Sequence, residues 1–211
     1  MYKSKSLRLI NFLSHQDSYF EFHDGRAMLV VGRNEDKEGQ KSNGAGKSSL
    51  NEAISVAVTG SSIRDVKTRE LVRRGEEFAI IEYVLYNTLY RCELKIQRKL
   101  YTKTTQSSEC KIWENGEEVR TCADINAYNK FVLDMIGISK EDFFNFYLIT
   151  KEYYKPFLSI GDVTKKSIIN RFSGADSVDA VEPLITSDLA EQAVKVKLCE
   201  DNLLSNRTKQ Q

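Results

Sequence analysis

Residues 42–50 read SNGAGKSSL, with Gly44, Ala45 and Gly46 leading into Lys47, Ser48 and Ser49. A loop of this composition at the start of a helix grips phosphate: backbone N–H groups wrap the β-phosphate, the lysine reaches the β and γ oxygens, and the following hydroxyl holds Mg²⁺. The general pattern is glycine, four free positions, then Gly-Lys-Ser/Thr. Counting back from Gly46 puts its first glycine at position 41, where Lys41 stands. The strict pattern fails there, so the flanks must decide, and they must read strand, loop, helix.

Ahead of the loop, Ala27-Met28-Leu29-Val30-Val31-Gly32 is an apolar run closed by glycine, the pattern of a fully buried parallel strand. Behind it, Ser48 to Val58 carries Leu50, Ala53, Ile54, Ala57 and Val58 at helical spacing and stops at Gly60. Between strand and loop lies RNEDKEGQK, Arg33 to Lys41, too charged to pack. It reads as an insertion, and Gly32 is the candidate for the job of the missing first glycine. The competing reading is a Gly/Ser-rich turn that binds nothing. Against it stands the position at a helix start, where the dipole and free N–H groups already favour an anion.

A chain of 211 residues buries a real core and should hold one domain plus an appendage, or at most two small domains. Its 31 basic residues nearly balance 30 acidic ones, so contact with nucleic acid would need a local patch rather than a global field. Cys92, Cys110, Cys122 and Cys199 show no CxxC spacing and read as reduced thiols. No signal-peptide core or long apolar run appears, so the expectation is a soluble intracellular protein without membrane contact.

Residues 6–13 and 18–22 predict two strands with a turn at 14–17, and Asp24-Gly25 turns into the run at 27–31. A charged region, 61–77, follows the loop helix. Then come strands over 78–86, 89–100 and 109–113, the last reaching an Asn115-Gly116 hairpin signal. This is a β-meander rather than another βαβ unit. Asp124 to Gly137 predicts a capped helix, Ser139 starts another running through Tyr147, and Asp162 to Phe172 a third with Val163, Ile168, Ile169 and Phe172 inward. From Pro183, residues Ile185, Leu189, Gln192, Val196, Cys199 and Leu203 alternate spacings of 4 and 3, the seam of a coiled coil, although an amphipathic surface helix fits this segment equally well. The sequence stops at Gln211 without a helix cap, as a helix cut in the middle would.

The ordered set, an opening strand pair with Asn11-Phe12-Leu13-Ser14-His15, a buried strand, NGAGKSS, a meander and the aromatic-rich LITKEYYKPFL ahead of a coiled coil, resembles the N-terminal half of an SMC/SbcC-like DNA-repair ATPase head. It is most similar to the ATPase subunit of phage recombination endonucleases. The resemblance implies an α/β P-loop head of ABC type over residues 1–180 and the beginning of a coiled-coil arm over 181–211. It implies ATP and Mg²⁺ as cofactors, with Asn43, Gly44, Ala45, Gly46, Lys47, Ser48 and Ser49 on the phosphates and Ser48 as metal ligand. Ile63-Arg64-Asp65-Val66-Lys67 resembles the segment after the loop helix, which adds Ile63 and Val66 as nucleotide contacts. The family's Q-loop glutamine falls at Lys151, which cannot ligate Mg²⁺ as an amide oxygen does; Thr150 or Glu152 would have to substitute, or the metal is held differently.

An ABC-type head also needs an Asp-Glu pair after an aliphatic strand and a signature serine loop from the opposite head. Neither occurs in this sequence; Phe78-Ala79-Ile80-Ile81-Glu82, inside the meander, comes nearest. The resemblance implies as partners the C-terminal half of the same head, a second head in a homodimer, a partner nuclease subunit and double-stranded DNA. The expected setting is the cytoplasm, DNA-associated, of a bacterial or phage-encoded protein. Related sequences serving chromosome organisation or antiviral defence, and a nucleotide-binding structural module without turnover, are the alternatives. A self-contained kinase or GTPase is disfavoured because the meander breaks the alternation such folds need.

Overall fold

A computed structural model describes residues 2–33, 45–119, 122–173 and 176–208. It divides into two compact units, Met1–Tyr154 and Lys155–Gln211.

The first unit is built on a six-stranded antiparallel sheet in the order β2-β1-β3-β4-β5-β6: β1 (Tyr2–Phe12), β2 (His15–Glu21), β3 (Phe78–Asn87), β4 (Cys92–Tyr101), β5 (Glu109–Glu114) and β6 (Glu117–Glu118). The meander is as expected. Phe12 pairs with His15, so the first turn is the two residues Leu13-Ser14, tighter than the predicted 14–17. β4 starts at Cys92 rather than Leu89 because the Asn87 Oδ1 accepts from the N–H groups of Leu89 (3.0 Å) and Tyr90 (3.2 Å), a side-chain turn that ends β3 and holds both residues outside the ladder. Asn115 and Gly116 carry φ of 49° and 87°, the positive pair that a type I′ hairpin requires.

Period-2 alternation puts Leu7, Leu9, Ile81, Leu94, Ile96 and Ile112 on one face, all fully buried. The opposite face carries ion pairs such as Arg8–Asp17 and Lys95–Glu82. Helix α1 (Lys47–Thr59) covers the buried face through Leu50, Ala53, Val56 and Ala57, and ends where Gly60, at φ 70°, turns its N–H back to Val56 O (2.9 Å). Helix α2 (Ile125–Ile136) packs beside it with the predicted caps: Asp124 Oδ1 accepts from Ala127 N (2.8 Å), and Gly137 closes at φ 78°. Ser139 caps the short α3 (Lys140–Asp142), but the chain then widens into a π turn over Phe143–Tyr147, with Leu148 N reaching Phe143 O at 2.8 Å. The expected α-helix through Tyr147 gives way there as the consecutive rings of Phe143 and Phe144 are both buried, meeting edge-on at 5.2 Å.

One expectation is overturned. Ala27–Val31 forms no strand, and its Leu29 and Val31 are 89% and 77% exposed. A continuous apolar strand needs neighbours along both edges and cover on both faces. The named strands all belong to the antiparallel sheet, so among the described residues no parallel neighbour exists for this run.

The second unit holds α4 (Asp162–Ser173) and α5 (Asp176–Thr208). Of the four α4 residues expected inward, only Ile168 is buried; Val163, Ile169 and Phe172 are exposed. A small helical unit has too little surface to cover a full apolar stripe. Helix α5 runs for 33 residues straight through Pro183, starting earlier than that proline suggested. Its seam residues Ile185, Leu189, Val196 and Cys199 are exposed, and no second helix lies along them among the described residues; the side chain of Leu203 is outside those described. No described helix is long and apolar enough to cross a membrane.

Candidate functional site

Helix α1 begins with Lys47, and Gly46 stands before it at φ 80°, a left-handed conformation that strains any residue with a Cβ. A Cβ on Gly46 would also come within 2.6 Å of Ser14 Oγ and 3.0 Å of His15 Nε2. The tight turn between β1 and β2 thus presses against the loop. His15 Nε2 donates to Gly46 O (3.2 Å), while its Nδ1 faces Ser18 Oγ at 3.0 Å and accepts from it in that tautomer. The imidazole fixes the carbonyl of Gly46 pointing away from the helix mouth.

Among the described residues no side chain caps the N-terminus of α1, and its first turn carries no acidic residue. A helix usually satisfies its first N–H groups with Ser, Thr, Asp or Asn. No described side chain takes that role here. Ser49 is buried and its N–H bonds to Gly46 O at 3.1 Å, whereas Ser48 is exposed.

A cavity of about 630 Å³ opens at this helix end. Ala45, Gly46, Lys47, Ser48 and Ser49 line it, and Arg64, Glu70 and Arg74 close it from the segment after α1. Three cations face one carboxylate, a balance that suits a polyphosphate. Gly32 lies against the same loop: a Cβ there would meet Ala45 Cβ at 2.5 Å and Lys47 Cγ at 3.2 Å. Glycine at 32 is thus required by close approach, as the missing first glycine of the loop would be.

A buried carboxylate sets the position of Arg64. Glu52, on α1, accepts at Oε1 from the Ser62 hydroxyl and from Ile63 N (2.9 Å), and its Oε2 lies 3.8 Å from Arg64 Nε. This pins the chain leaving α1 so that residue 64 returns to the helix's opening turn. Further on, Arg73 Nη1 donates to Ser14 O (2.9 Å), tying the same segment to the β1–β2 turn.

Of the residues singled out in the sequence, Ala45, Gly46, Lys47, Ser48, Ser49 and Gly32 converge on one place. Asn43, Gly44 and all but Arg33 of the 33–41 insertion lie outside the described residues. Ile63 and Val66 pack with the core instead of lining the cavity. Lys151 is an exposed turn residue outside the cavity lining, and neighbouring Thr150 is buried with its Oγ1 unpartnered among the described residues. Ser14, His15, Glu52, Arg64, Glu70 and Arg74 were not identified as site residues from sequence. Ser14, His15, Arg64 and Glu70 had a signal, since they fall in the family-like segments Asn11–His15, Ile63–Lys67 and Glu70-Leu71-Val72; Glu52 and Arg74 had none. Among the described residues no cluster of three or more His, Cys, Asp or Glu is placed to hold a metal.

Residues 6–191 match the family model of an AAA domain. The DNA double-strand break repair Rad50 ATPase of Thermoplasma volcanium is 27% identical over 82% of this chain and 18% of its own length. The SbcC component of the nuclease SbcCD of Staphylococcus epidermidis is 23% identical over 73% of this chain and 16% of its own length. A solved structure of the recombination mediator protein RecF is 27% identical with a TM-score of 0.42, covering 57% of this chain and 28% of that one. The chain thus spans under a fifth of the length of these two curated relatives.

Proposed function

The chain belongs to the AAA domain family and resembles the N-terminal head region of SMC/SbcC-like DNA-repair ATPases, and from that premise we propose that it is the N-terminal half of an ATP-binding head acting in DNA repair or recombination. The observation that carries this reading is the N-terminus of α1, uncapped by any described side chain, free of acidic residues, and ringed by Lys47, Arg64 and Arg74. In such a site the N–H groups and Lys47 take the β- and γ-phosphates, and Ser48 supplies one oxygen to Mg²⁺. Gly32 keeps the floor of the loop open. Arg64, held by Glu52, adds positive charge where the terminal phosphates lie.

Hydrolysis needs more than this. The C-terminal half of the same head would bring the acidic pair that holds metal and orients water, and a second head would close on the γ-phosphate. The exposed run Met28–Val31 supports the first of these partners, because it is an apolar strand sequence beside the loop with no strand neighbour among the described residues. Residues 1–180 would form the head portion and 181–211 the root of a coiled-coil arm. Closure of two such heads around two ATP-Mg²⁺ would clamp double-stranded DNA through phosphate contacts and gate a partner nuclease, in the cytoplasm of a bacterial or phage-infected cell. A nucleotide-binding module without turnover is the second reading, favoured by Lys151 at the position of a metal-reaching glutamine.

Equilibrium binding of ATP to this chain, beside Lys47→Ala, tests the premise. The proposal expects saturable binding that Lys47→Ala weakens by about tenfold or more. Equal binding by both chains would remove the loop from the account.

A further inference from the structure

A second cleft lies at the far end of α1. Its volume is about 550 Å³, and Lys67, Arg69, Arg98 and Lys103 line it, with no aspartate or glutamate among the described residues of its wall. It opens beside Val56 and Gly60 of the last turn. Helix α1 is thirteen residues long from Lys47 to Thr59, so its two ends lie about 18 Å apart at 1.5 Å per residue, and one phosphate cannot serve both places.

Arg98 is the anomaly that gives this cleft meaning. The alternation of β4 delivers Leu94, Ile96, Arg98 and Leu100 to the same buried face, and Arg98 is 1% exposed. Its Nε donates to Ala57 O (3.1 Å) and its Nη1 to Asn129 Oδ1 (2.7 Å). The first bond satisfies a carbonyl in the last turn of α1 and offsets the negative pole of that helix. The second holds α2 against it, and Gly60 must be glycine here, since a Cβ would fall 2.2 Å from Asn129 Oδ1.

The α1 carbonyl and the Asn129 side chain account for those two nitrogens and leave the third. Among the described residues, Arg98 Nη2 is buried with no hydrogen-bond partner and no carboxylate is paired with the guanidinium. Buried donors are almost always satisfied, and a buried charge without a counter-ion is costly. Three further cations surround the cleft. Lys103 reaches Glu77 at 3.3 Å across an exposed pair, which leaves its charge largely solvated. Asn126, on the first turn of α2, adds an amide to the same wall.

We propose that this cleft is a second anion site, taking a phosphate group as the counter-ion of Arg98 through the free Nη2 and the Lys67, Arg69 and Lys103 rim. It is independent of nucleotide at the α1 N-terminus. The guanidinium fork supplies directional donors for a tetrahedral oxyanion, and the exposed rim residues supply long-range attraction.

The test follows the Arg98 Nε–Hε resonance in the ¹⁵N-labelled full chain carrying Lys47→Ala, which removes the loop's grip on phosphate. Probes are inorganic phosphate, a 5′-phosphorylated oligonucleotide and its 5′-hydroxyl counterpart. The expected result is a saturable shift, weakened about tenfold or more in the triple variant Lys67→Ser/Arg69→Ser/Lys103→Ser, whose substituted side chains lie outside the buried core. A shift with inorganic phosphate alone assigns a free phosphate ligand. A shift at lower concentration of the phosphorylated strand alone assigns a strand terminus, and equal shifts by both strands assign the nucleic-acid backbone. No movement with any probe, or the same movement in the triple variant, overturns the proposal.

Discussion

Strand β4 and the stretch Ala27–Val31 both carry apolar residues of strand-forming type, yet Leu94 and Ile96 of β4 are fully buried while Leu29 and Val31 face solvent. β4 alternates apolar and polar residues, so it needs one covered face, and it finds β3 and β5 on its two edges with α1 and α2 above. The 27–31 run is apolar at every position. It needs cover on both faces and pairing on both edges, and none of the described residues supplies it. An apolar sequence states what a segment requires; whether the requirement is met depends on what else is present to pack against it.

Substitutions in the two regions should separate sharply. Ile96→Ala deletes buried methyl groups from the centre of the sheet and should cost about 2–5 kcal/mol in urea unfolding. Leu29→Ser should shift the stability of this chain by under about 0.5 kcal/mol, while weakening its association with the C-terminal half. A comparable loss at both positions would mean that this chain itself covers the 27–31 run in solution.

Next in size is Glu52→Ala. It leaves the Ser62 hydroxyl and the Ile63 N–H buried without their acceptor, a cost of about 1–3 kcal/mol for each group. It should also weaken ATP binding, because Arg64 loses its anchor. Stability lost without any change in ATP affinity would make Glu52 a fold residue only.

How much of this was legible in the sequence follows the range of each interaction. The caps of α2 are local, and Asp124 and Gly137 mark its ends as read. The Asn115-Gly116 hairpin and the alternation of β4 are equally short-range signals. The glycine loop and its helix were readable for the same reason. His15 against Gly46 joins residues 31 apart, and Arg98 against Asn129 another 31; no periodicity announces such pairs. Arg98 did fall in phase with Leu94, Ile96 and Leu100, which was a signal that its side chain points inward. The apolarity of 27–31 was plain, but its exposure was not, because the missing neighbours cannot be seen from the run itself.

The smallest effect belongs to the wet face of the sheet. Burial pushes the Glu82 carboxyl up, but hydrogen bonds from Lys95 (2.9 Å) and Gln97 (2.8 Å) outweigh it and hold the group below the usual glutamate value. A carboxyl depressed in the folded state adds stability that is present above its unfolded value of about 4.3 and is lost as pH falls through the lower folded value. Glu82→Gln should therefore remove under about 1 kcal/mol above that pH and flatten the acid limb of the stability curve. An unchanged acid limb would show that this pair adds nothing.

The central claim is that this chain carries half of a nucleotide-hydrolysing site, and turnover tests it most directly. ATP hydrolysis is measured for the chain alone, for the chain mixed with the C-terminal half, and for the same mixture carrying Lys47→Ala. The account predicts activity only in the unmodified mixture. Turnover by the chain alone at roughly 1 per second or more, an ordinary enzyme rate, would contradict it.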